Sequence, residues 1–282
     1  MGKDLFIAEK PSVAREFAKA LKYNMSNRDG YMESEQAIVT WCVGHLVTMS
    51  YPDAYDPELK RWTLKTLPFI PNEYKYEVIP SVKKQFDIVS GLLNREDVAR
   101  IYVCTDSGRE GEYIYRLVAQ MADVKDKAQK RVWIDSQTED EILRGIREAK
   151  DLEEYDNLSA SAYLRAKEDY LMGINFSRVL TLKYGYPVKN YLKQDKAVIS
   201  VGRVMTCVLG MVVNREREIR QFVKTPFYRV TGRFALASSG EETNGGRSFE
   251  GEWRAVEGSA WFQSPALYKE NGFKKKEDAQ KL

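Results

Sequence analysis

Short apolar runs alternate with helical patterns through the first 150 residues, and this alternation restricts the possible folds more than any other feature. The apolar runs, which predict buried strands, cover residues 4–8, 37–43, 100–105 and 131–134. Patterns with helical spacing cover residues 12–22, 80–94, 110–121 and 138–150. Alternating strands and helices are typical of α/β proteins, so we predict a mostly parallel sheet with helices on both faces.

The pattern changes after residue 150. Helical spacing extends over 157–184 and again over 199–220, with a loop predicted between them, and a strand that leads into a hairpin begins near residue 226. The last segment is too short to close a β-domain, so we expect the chain to stop inside one. The predicted division is residues 1–150 as an α/β domain, 151–222 as part of a helical domain, and 223–282 as the beginning of a β-rich domain.

The composition excludes few function classes. A formal net charge of +3 over 282 residues neither requires nor excludes binding to nucleic acid. The three cysteines are far apart and two lie in apolar runs, which indicates reduced thiols in a reducing compartment. No apolar run approaches the length of a membrane-spanning helix, and the N-terminus does not resemble a signal peptide. We expect a cytoplasmic protein without membrane contact, and a monomer.

Charged residues follow two of the predicted strands at the point where each strand ends. Glu9 and Lys10 come after the first strand, and Asp106, Arg109 and Glu110 come after the third. Ligands of open α/β sheets bind at the carboxyl ends of strands, so neighbouring strands would bring the three carboxylates together. Converging carboxylates favour a hard cation such as Mg²⁺, and the basic side chains beside them favour a phosphate. The sequence therefore predicts a site for Mg²⁺ and phosphate.

Each of these features also has an ordinary structural interpretation. An Asp-x-x-x-Glu spacing alone is usually a solvated helix start, and Glu9 alone could pair with Lys10 at a strand end. The occurrence of both features favours a site. The only histidine, His45, is more often structural than catalytic in such a position. In the aromatic- and proline-rich loop 50–76, Trp62 is equally well interpreted as loop packing or as a platform for stacked bases.

Five segments resemble type IA DNA topoisomerases in their order and spacing, and the bacterial topoisomerase III group in particular. They are LFIAEKPSVAREFA, the stretch from VTWCVGHLV through YPDAYD to LPFIP, TDSGREGE, SAYLRAKEDYLMGINFSRVLT and SVGRVMTCVLGMVVNREREIRQF. The resemblance covers about residues 3–235, and the agreement of five separate motifs makes it specific. It implies that the first 150 residues form a TOPRIM domain, which also occurs in primases and some nucleases.

Members of this family cleave one DNA strand through a tyrosine that becomes linked to the 5′-phosphate, pass another strand through the gap and reseal it. The resemblance therefore implies a DNA topoisomerase that needs Mg²⁺ but not ATP. Its expected partners are single-stranded DNA and negatively supercoiled DNA. It would relax negative supercoils and decatenate DNA that has single-stranded regions. Its expected location is the bacterial cytoplasm, in association with the nucleoid.

The resemblance also implies roles for the charged residues at the strand ends. Glu9 and Lys10 match the family's catalytic glutamate and lysine, and Arg109 is expected to act with them on the phosphate. Asp106 and Glu110 match its metal-binding acids, with Glu9 as the third expected ligand.

Further residues match positions where the family contacts DNA. Trp62, Tyr170 and Arg178 match its DNA contacts, and Asp169 matches the acid beside them. The segment that lines its groove for single-stranded DNA matches Ser200, Val201, Gly202, Arg203, Val204 and Met205.

The residue types in that last segment suit the same use. Gly202 permits close approach of the backbone, Arg203 supplies a cation, and Ser200 is predicted to cap a helix whose N-terminus favours a phosphate. The alternative interpretation of Arg203 is a solvated surface arginine.

The chain departs from the family pattern in two places. Gly108 stands where the pattern Asp-x-Asp-x-Glu has its middle acid, which we expect to weaken a second Mg²⁺ site; Gly108 and Gly111 are expected to let the backbone approach a ligand closely. The nucleophilic tyrosine of the family lies in a Thr-Tyr-x-Arg-like segment beyond Leu282, and none of the 17 tyrosines of the chain has that context. We therefore expect no strand cleavage by this chain alone.

Two other function classes stay open. The chain could be a module that holds Mg²⁺ and single-stranded DNA without catalysis. It could also be a TOPRIM nuclease or primase-like enzyme that uses metal-activated water instead of a tyrosine, although the helices after residue 157 disfavour this.

Overall fold

A computed structural model describes residues 2–235 and 248–282 of the chain. They form two compact units, with the division between Val208 and Leu209. Over these two ranges, no helix is both long enough and apolar enough to cross a membrane.

The first unit is built around one large sheet. The strands of this unit are β1 (Lys3–Ala8), β2 (Ser26–Arg28), β3 (Tyr31–Glu33), β4 (Ala37–Trp41), β5 (Val47–Met49), β6 (Tyr76–Val78), β7 (Val98–Cys104), β8 (Ala128–Arg131) and β9 (Lys150–Asp151). β5 and β6 pair with each other, and the other seven form a sheet of order β2-β3-β4-β1-β7-β8-β9. β4, β1, β7 and β8 are parallel, and antiparallel strands extend both edges. The predicted mostly parallel sheet is therefore confirmed.

Six long helices accompany these strands. They are α1 (Pro11–Leu21), α2 (Lys83–Leu93), α3 (Arg109–Met121), α4 (Glu139–Arg147), α5 (Asp156–Leu192) and α6 (Arg203–Arg220), which crosses the division between the units. Short 3₁₀ turns cover Pro52–Ala54, Pro57–Lys60, Leu64–Thr66, Pro80–Val82 and Leu152–Tyr155.

The two faces of the sheet have separate cores, because successive residues of a strand point to opposite faces. Leu5 and Ile7 of β1 lie in a core with residues of α2 and α3. Phe6 and Ala8 lie in a core with residues of α1 and α4. Helices thus cover both faces, as the sequence predicts.

The last parallel strand lies earlier in the chain than predicted. The prediction placed it at 131–134, whereas β8 ends at Arg131. Before Arg131, Ala128 is exposed, and Gln129 and Lys130 are polar and only partly buried, so an apolar pattern does not reveal the strand. The apolar run that follows packs against α4 instead, with Val132 buried beside Ile142.

α5 is longer than predicted. The prediction ended this helix at residue 184. Gly185 and Pro187 usually interrupt helices, yet α5 continues to Leu192 with Pro187 inside it. Gly185 is buried and gives room to the returning chain, since a Cβ there would lie 3.0 Å from the carbonyl oxygen of Ala197. The loop predicted between the two helical patterns is therefore confined to the residues after Leu192.

The second unit contains small antiparallel pairs. Its further elements are β10 (Thr231–Ala235) paired with β11 (Ser248–Glu252), β12 (Leu267–Lys269) paired with β13 (Gly272–Phe273), and α7 (Lys276–Ala279). Phe273 is buried, and the ring of Trp253 stacks on it at 5.1 Å. The predicted strand and its return are present as β10 and β11, and the turn predicted between them falls in 236–247, outside the described residues.

Candidate active site

The predicted acids meet at the carboxyl ends of two neighbouring parallel strands. β1 and β7 pair with Ala8 opposite Cys104, so the residues that follow each strand are close together. The backbone N–H of Asp106 donates to Oε2 of Glu9 at 3.3 Å. Glu9 is only 6% exposed, whereas Asp106 is exposed. The structure thus places one buried and one exposed carboxylate side by side.

The protonation of Glu9 depends on its neighbours. Burial raises the pKa of the Glu9 carboxyl, and the Asp106 carboxylate raises it further. The ammonium of Lys10, 3.7 Å from Oε1 of Glu9, acts in the opposite direction. A cation beside the two carboxylates would offset their repulsion, as expected for ligands of a hard metal ion.

Glu110 has a different partner from the other two acids. Its Oε1 lies 2.6 Å from Nε2 of His45, whose ring makes an edge contact with Tyr113. Residues 2–235 and 248–282 contain no group of three acidic, histidine or cysteine side chains gathered closely enough to hold a metal ion. The pair of Glu9 and Asp106 suits Mg²⁺ by its oxygen chemistry, and Glu110 would have to leave His45 to join them.

A buried arginine holds the loop that carries Asp106. Arg131 is fully buried, and its guanidinium donates to the carbonyl oxygens of Thr105 at 2.7 Å and Asp106 at 2.6 Å. Its charge is balanced by Glu112, also fully buried, at 2.9 Å. The other Glu112 oxygen accepts from Arg116 at 2.8 Å. Sequence reasoning missed this network; an arginine directly before the apolar Val-Trp-Ile run was the available signal.

The two glycines of the loop have unequal roles. A Cβ at Gly111 would overlap the carbonyl oxygen of Asp106 and lie 2.7 Å from its nitrogen. A Cβ at Gly108 would meet nothing within 4 Å, and its φ of 177° is ordinary extended backbone. Close packing of the first turn of α3 on the Asp106 backbone therefore requires Gly111, and the close approach of a ligand at either glycine stays a prediction. Arg109 begins α3 and is exposed.

A second candidate surface is formed where the chain returns along α5 in extended form. The contacts occur at every second residue of the returning segment and every fourth residue of the helix: the carbonyl of Ala197 at Gly185, Ile199 N to Thr181 Oγ1 (2.9 Å), and Val201 N to Ser177 Oγ (2.8 Å). The spacings agree because four helical residues and two extended residues each advance by about 6 Å. Residues 197–201 therefore lie in a fixed register on the helix.

This register delivers Arg203 to α5. Its guanidinium donates to both carboxylate oxygens of Asp169, at 2.8 and 2.7 Å, and this hydrogen bonding lowers the pKa of Asp169. A cavity of about 620 Å³ lies beside the pair, between α5 and residues 201–207. The predicted cap at Ser200 is wrong, because α6 begins at Arg203 and the carbonyl of Gly202 accepts its first helical hydrogen bond, from Thr206 N at 2.9 Å.

The aromatic loop packs against a neighbouring part of α5. The ring of Trp62 is 37% exposed and lies 5.2 Å from the guanidinium of Arg178. Arg178 is only 5% exposed, and within the described residues its Nη1 has no hydrogen-bond partner. Burial lowers its pKa. The hydroxyl of Tyr170 donates to the carbonyl of Ser50 at 2.6 Å, so the three predicted DNA contacts share one region.

Comparisons with known proteins identify families for both parts of the chain. Residues 4–136 match the Toprim domain family, and residues 153–282 match a family described as DNA topoisomerase. The chain is 41% identical over 230 residues to DNA topoisomerase 3 of Bacillus subtilis (strain 168), covering 82% of this chain and 30% of that protein. It is 39% identical over 255 residues to DNA topoisomerase 3 of Bacillus anthracis, covering 89% of this chain and 33% of that protein. The chain thus spans about a third of the length of these relatives.

Proposed function

The chain belongs to the type IA DNA topoisomerase family, and on that premise we propose that it carries the acid-and-phosphate half of a site that cleaves and reseals a DNA strand. The whole protein would relax negatively supercoiled DNA and decatenate DNA with single-stranded regions, with Mg²⁺ and without ATP. The nucleophilic tyrosine would come from a part of the whole protein that lies outside these 282 residues.

The observation that carries this proposal is the contact between Asp106 N and the Glu9 carboxylate at the ends of adjacent parallel strands. Glu9 and Asp106, joined by Glu110, would hold Mg²⁺, which supplies charge stabilisation at the phosphate oxygens. Lys10 and Arg109 would contact the same phosphate, because both are basic and follow the strand ends.

Glu9 also suits a part in proton transfer. Burial and Asp106 raise its pKa, so its carboxyl holds a proton more readily than that of an exposed glutamate. In its protonated form, Glu9 would give this proton to the departing DNA oxygen on cleavage and take it back on resealing, whereas in its ionised form it would be a ligand of Mg²⁺. Lys10, 3.7 Å away, would adjust this equilibrium by favouring the ionised form.

The surface on α5 would bind the single strand. The exposed ring of Trp62 offers a stacking platform, and the unpartnered Nη1 of Arg178 offers a donor for a base or phosphate. Tyr170 fastens the start of the loop that carries Trp62, through its bond to Ser50. The segment from Ser200 to Met205, with the Arg203–Asp169 pair, would line the adjoining groove.

We further propose a monomer in the bacterial cytoplasm, associated with the nucleoid, and the three-part division at residues 150 and 222. A non-catalytic binding module is the second candidate. The observation that favours it is that Trp62 and Arg178 already meet on α5 within this chain, whereas the active site requires a tyrosine from elsewhere.

The test uses the chain itself with a 5′-labelled single-stranded oligonucleotide, in MgCl₂ or in EDTA. We expect binding that weakens with added salt, and no cleaved product. Free 5′-phosphate ends that require Mg²⁺, without a protein–DNA adduct, would favour the nuclease alternative. Absence of binding at low salt would overturn the strand-binding proposal.

Catalysis is tested in the full-length protein by plasmid relaxation. Glu9→Gln should lower the rate about 100-fold or more, the size expected for loss of a general acid. Lys10→Ala should also lower the rate of relaxation. Normal turnover by either variant, with unchanged thermal stability, would remove that residue from the catalytic assignment.

A further inference from the structure

The loop between β5 and β6 carries Trp62 and is fastened at its base. Ser50 N donates to the carbonyl of Lys75 at 2.8 Å, and Lys75 N donates to the hydroxyl of Tyr55 at 2.7 Å. These bonds close the two ends of the loop. They join residues of the loop and its ends to one another and not to α5, so they do not by themselves determine where the ring of Trp62 lies over that helix.

The far part of the loop is fastened by one side chain of α5. Phe69 N donates to Oδ1 of Asn175 at 2.6 Å, and Nδ2 of Asn175 donates to the Phe69 carbonyl at 2.9 Å. The second Nδ2 hydrogen goes to the carbonyl of Leu171 at 2.9 Å. The amide thus pairs both backbone groups of one loop residue while its own orientation is fixed by the preceding turn of the helix.

Asn175 lies one helical turn before Arg178, and residues three apart on a helix are neighbours on one face. The residue that fixes Phe69 is therefore adjacent to the guanidinium on which Trp62 lies. Phe69 is buried, with its ring packed edge-on against Tyr170 at 6.4 Å. The hydrogen bonds between the Phe69 backbone and Asn175 therefore fix the distance between this part of the loop and α5.

We propose that Asn175 is a positioning residue for strand binding: it fixes the loop so that the Trp62 ring lies over Arg178 before DNA arrives. This proposal rests on the proposed binding of single-stranded DNA by Trp62 and Arg178. Asn175 makes its polar contacts within the chain, so its effect on DNA would pass through Trp62.

A double-mutant cycle tests this dependence, with a fluorescein-labelled single-stranded oligonucleotide as the probe. Trp62→Ala should weaken binding about tenfold, as expected for loss of a stacking platform. Asn175→Ala should weaken it about fivefold, and should add less than about twofold when Trp62 is already alanine. Asn157→Ala, a change at an exposed asparagine of the same helix, should leave affinity unchanged.

The free protein supplies an independent readout. The difference in emission between the protein and its Trp62→Phe variant reports the Trp62 ring, and Asn175→Ala should move that emission to longer wavelength without DNA. Asn175→Asp keeps the acceptor for Phe69 N but turns a second oxygen toward the carbonyl oxygens of Phe69 and Leu171, so it should give a shift in the same direction.

The two proposals fail in different ways. If Trp62→Ala leaves affinity unchanged, the strand-binding function of the platform is wrong, and the emission of Asn175→Ala still decides whether Asn175 places the ring. If Asn175→Ala weakens binding equally in both backgrounds and leaves the Trp62 emission unchanged, the positioning role is overturned. If Asn175→Ala lowers the unfolding midpoint strongly, Asn175→Asp decides by the same two readouts.

Discussion

The edge of the sheet that carries Glu9 and Asp106, here called the acid edge, and the surface of α5 both hold charged side chains in place, but by different means. At the acid edge, Arg131 binds the backbone of the Asp106 loop and is paired with Glu112. Both side chains are fully buried, so water cannot replace either partner. On α5, single hydrogen bonds to half-buried side chains such as Ser177, whose Oγ accepts from Val201 N, hold the chain. From this difference we expect that loss of a contact at the acid edge lowers the stability of the whole unit, whereas loss of a contact on α5 changes mainly the local geometry.

The largest expected effect comes from breaking the buried ion pair. Glu112→Ala leaves Arg131 charged in the core without its counter-ion and should lower the free energy of unfolding by about 3–5 kcal/mol. Ser177→Ala removes one hydrogen bond on α5 and should cost about 0.5–1.5 kcal/mol. Urea unfolding of both variants measures the comparison directly. Equal losses would mean that the two regions are held in the same way.

The second effect sharpens the comparison within the acid loop. Gly111→Ala forces a Cβ into the backbone of Asp106 and should destabilise the fold by about 1–3 kcal/mol. Gly91, also inside a helix, has nothing within 4 Å of a Cβ. Gly91→Ala should therefore stabilise the fold by about 0.5–1 kcal/mol through helix propensity. A loss for both variants would indicate a general intolerance of alanine instead of a close approach at Asp106.

Gly108→Ala completes this series, because Gly108 lies directly before α3, three residues from Gly111, but has open space around it. Its unfolding free energy should change by less than about 0.5 kcal/mol. A loss as large as that of Gly111→Ala would show that the whole loop, and not one contact, excludes a side chain.

The smallest effect concerns acid pH. Hydrogen bonding from Arg95, at 2.7 Å, and then from Lys3 lowers the pKa of Glu33 below its ordinary value of 4.5. The stability from Glu33 is therefore present above its unfolded pKa and lost as the pH falls through its folded pKa. Arg203 likewise lowers the pKa of Asp169, but that pair is nearly half exposed and weakly coupled to folding.

Between neutral pH and about pH 3, the unfolding free energy of Glu33→Gln should fall by about 1 kcal/mol less than that of the unchanged protein. For Asp169→Asn the fall should be nearly the same as in the unchanged protein. Urea titrations at several pH values measure both. If Asp169→Asn flattens the curve as much as Glu33→Gln, exposed pairs on α5 contribute to global stability and the comparison breaks down.

The sequence predicts the sheet and the meeting of Glu9 with Asp106, because strand ends and the acids after them are visible in the local pattern. It does not predict the partner of Glu110, since His45 lies 65 positions earlier and only the folded sheet brings them together. Arg131 and Glu112 were missed for a physical reason: charged residues normally indicate surface, and burial of both depends on pairing across 19 positions.

The end of α5 shows a limit of local propensity. Gly185 and Pro187 carry strong helix-breaking tendencies, yet the chain returning at Ala197 fills the space that Gly185 leaves and compensates for them. Such compensation is tertiary, so no window of sequence contains it. Where Trp62 lies was likewise open between packing and stacking until its neighbour Arg178 was known.

The matched spacing of the returning segment and α5 has a consequence for tolerated changes in length. Residues inserted between Leu192 and Ala197 would enlarge only a turn, because no contact of the register precedes Ala197. A single residue inserted between Ile199 and Val201 would put the wrong backbone group opposite Ser177, and a deletion would do the same. Chain length should therefore vary among relatives before Ala197 and be constant from there to Arg203.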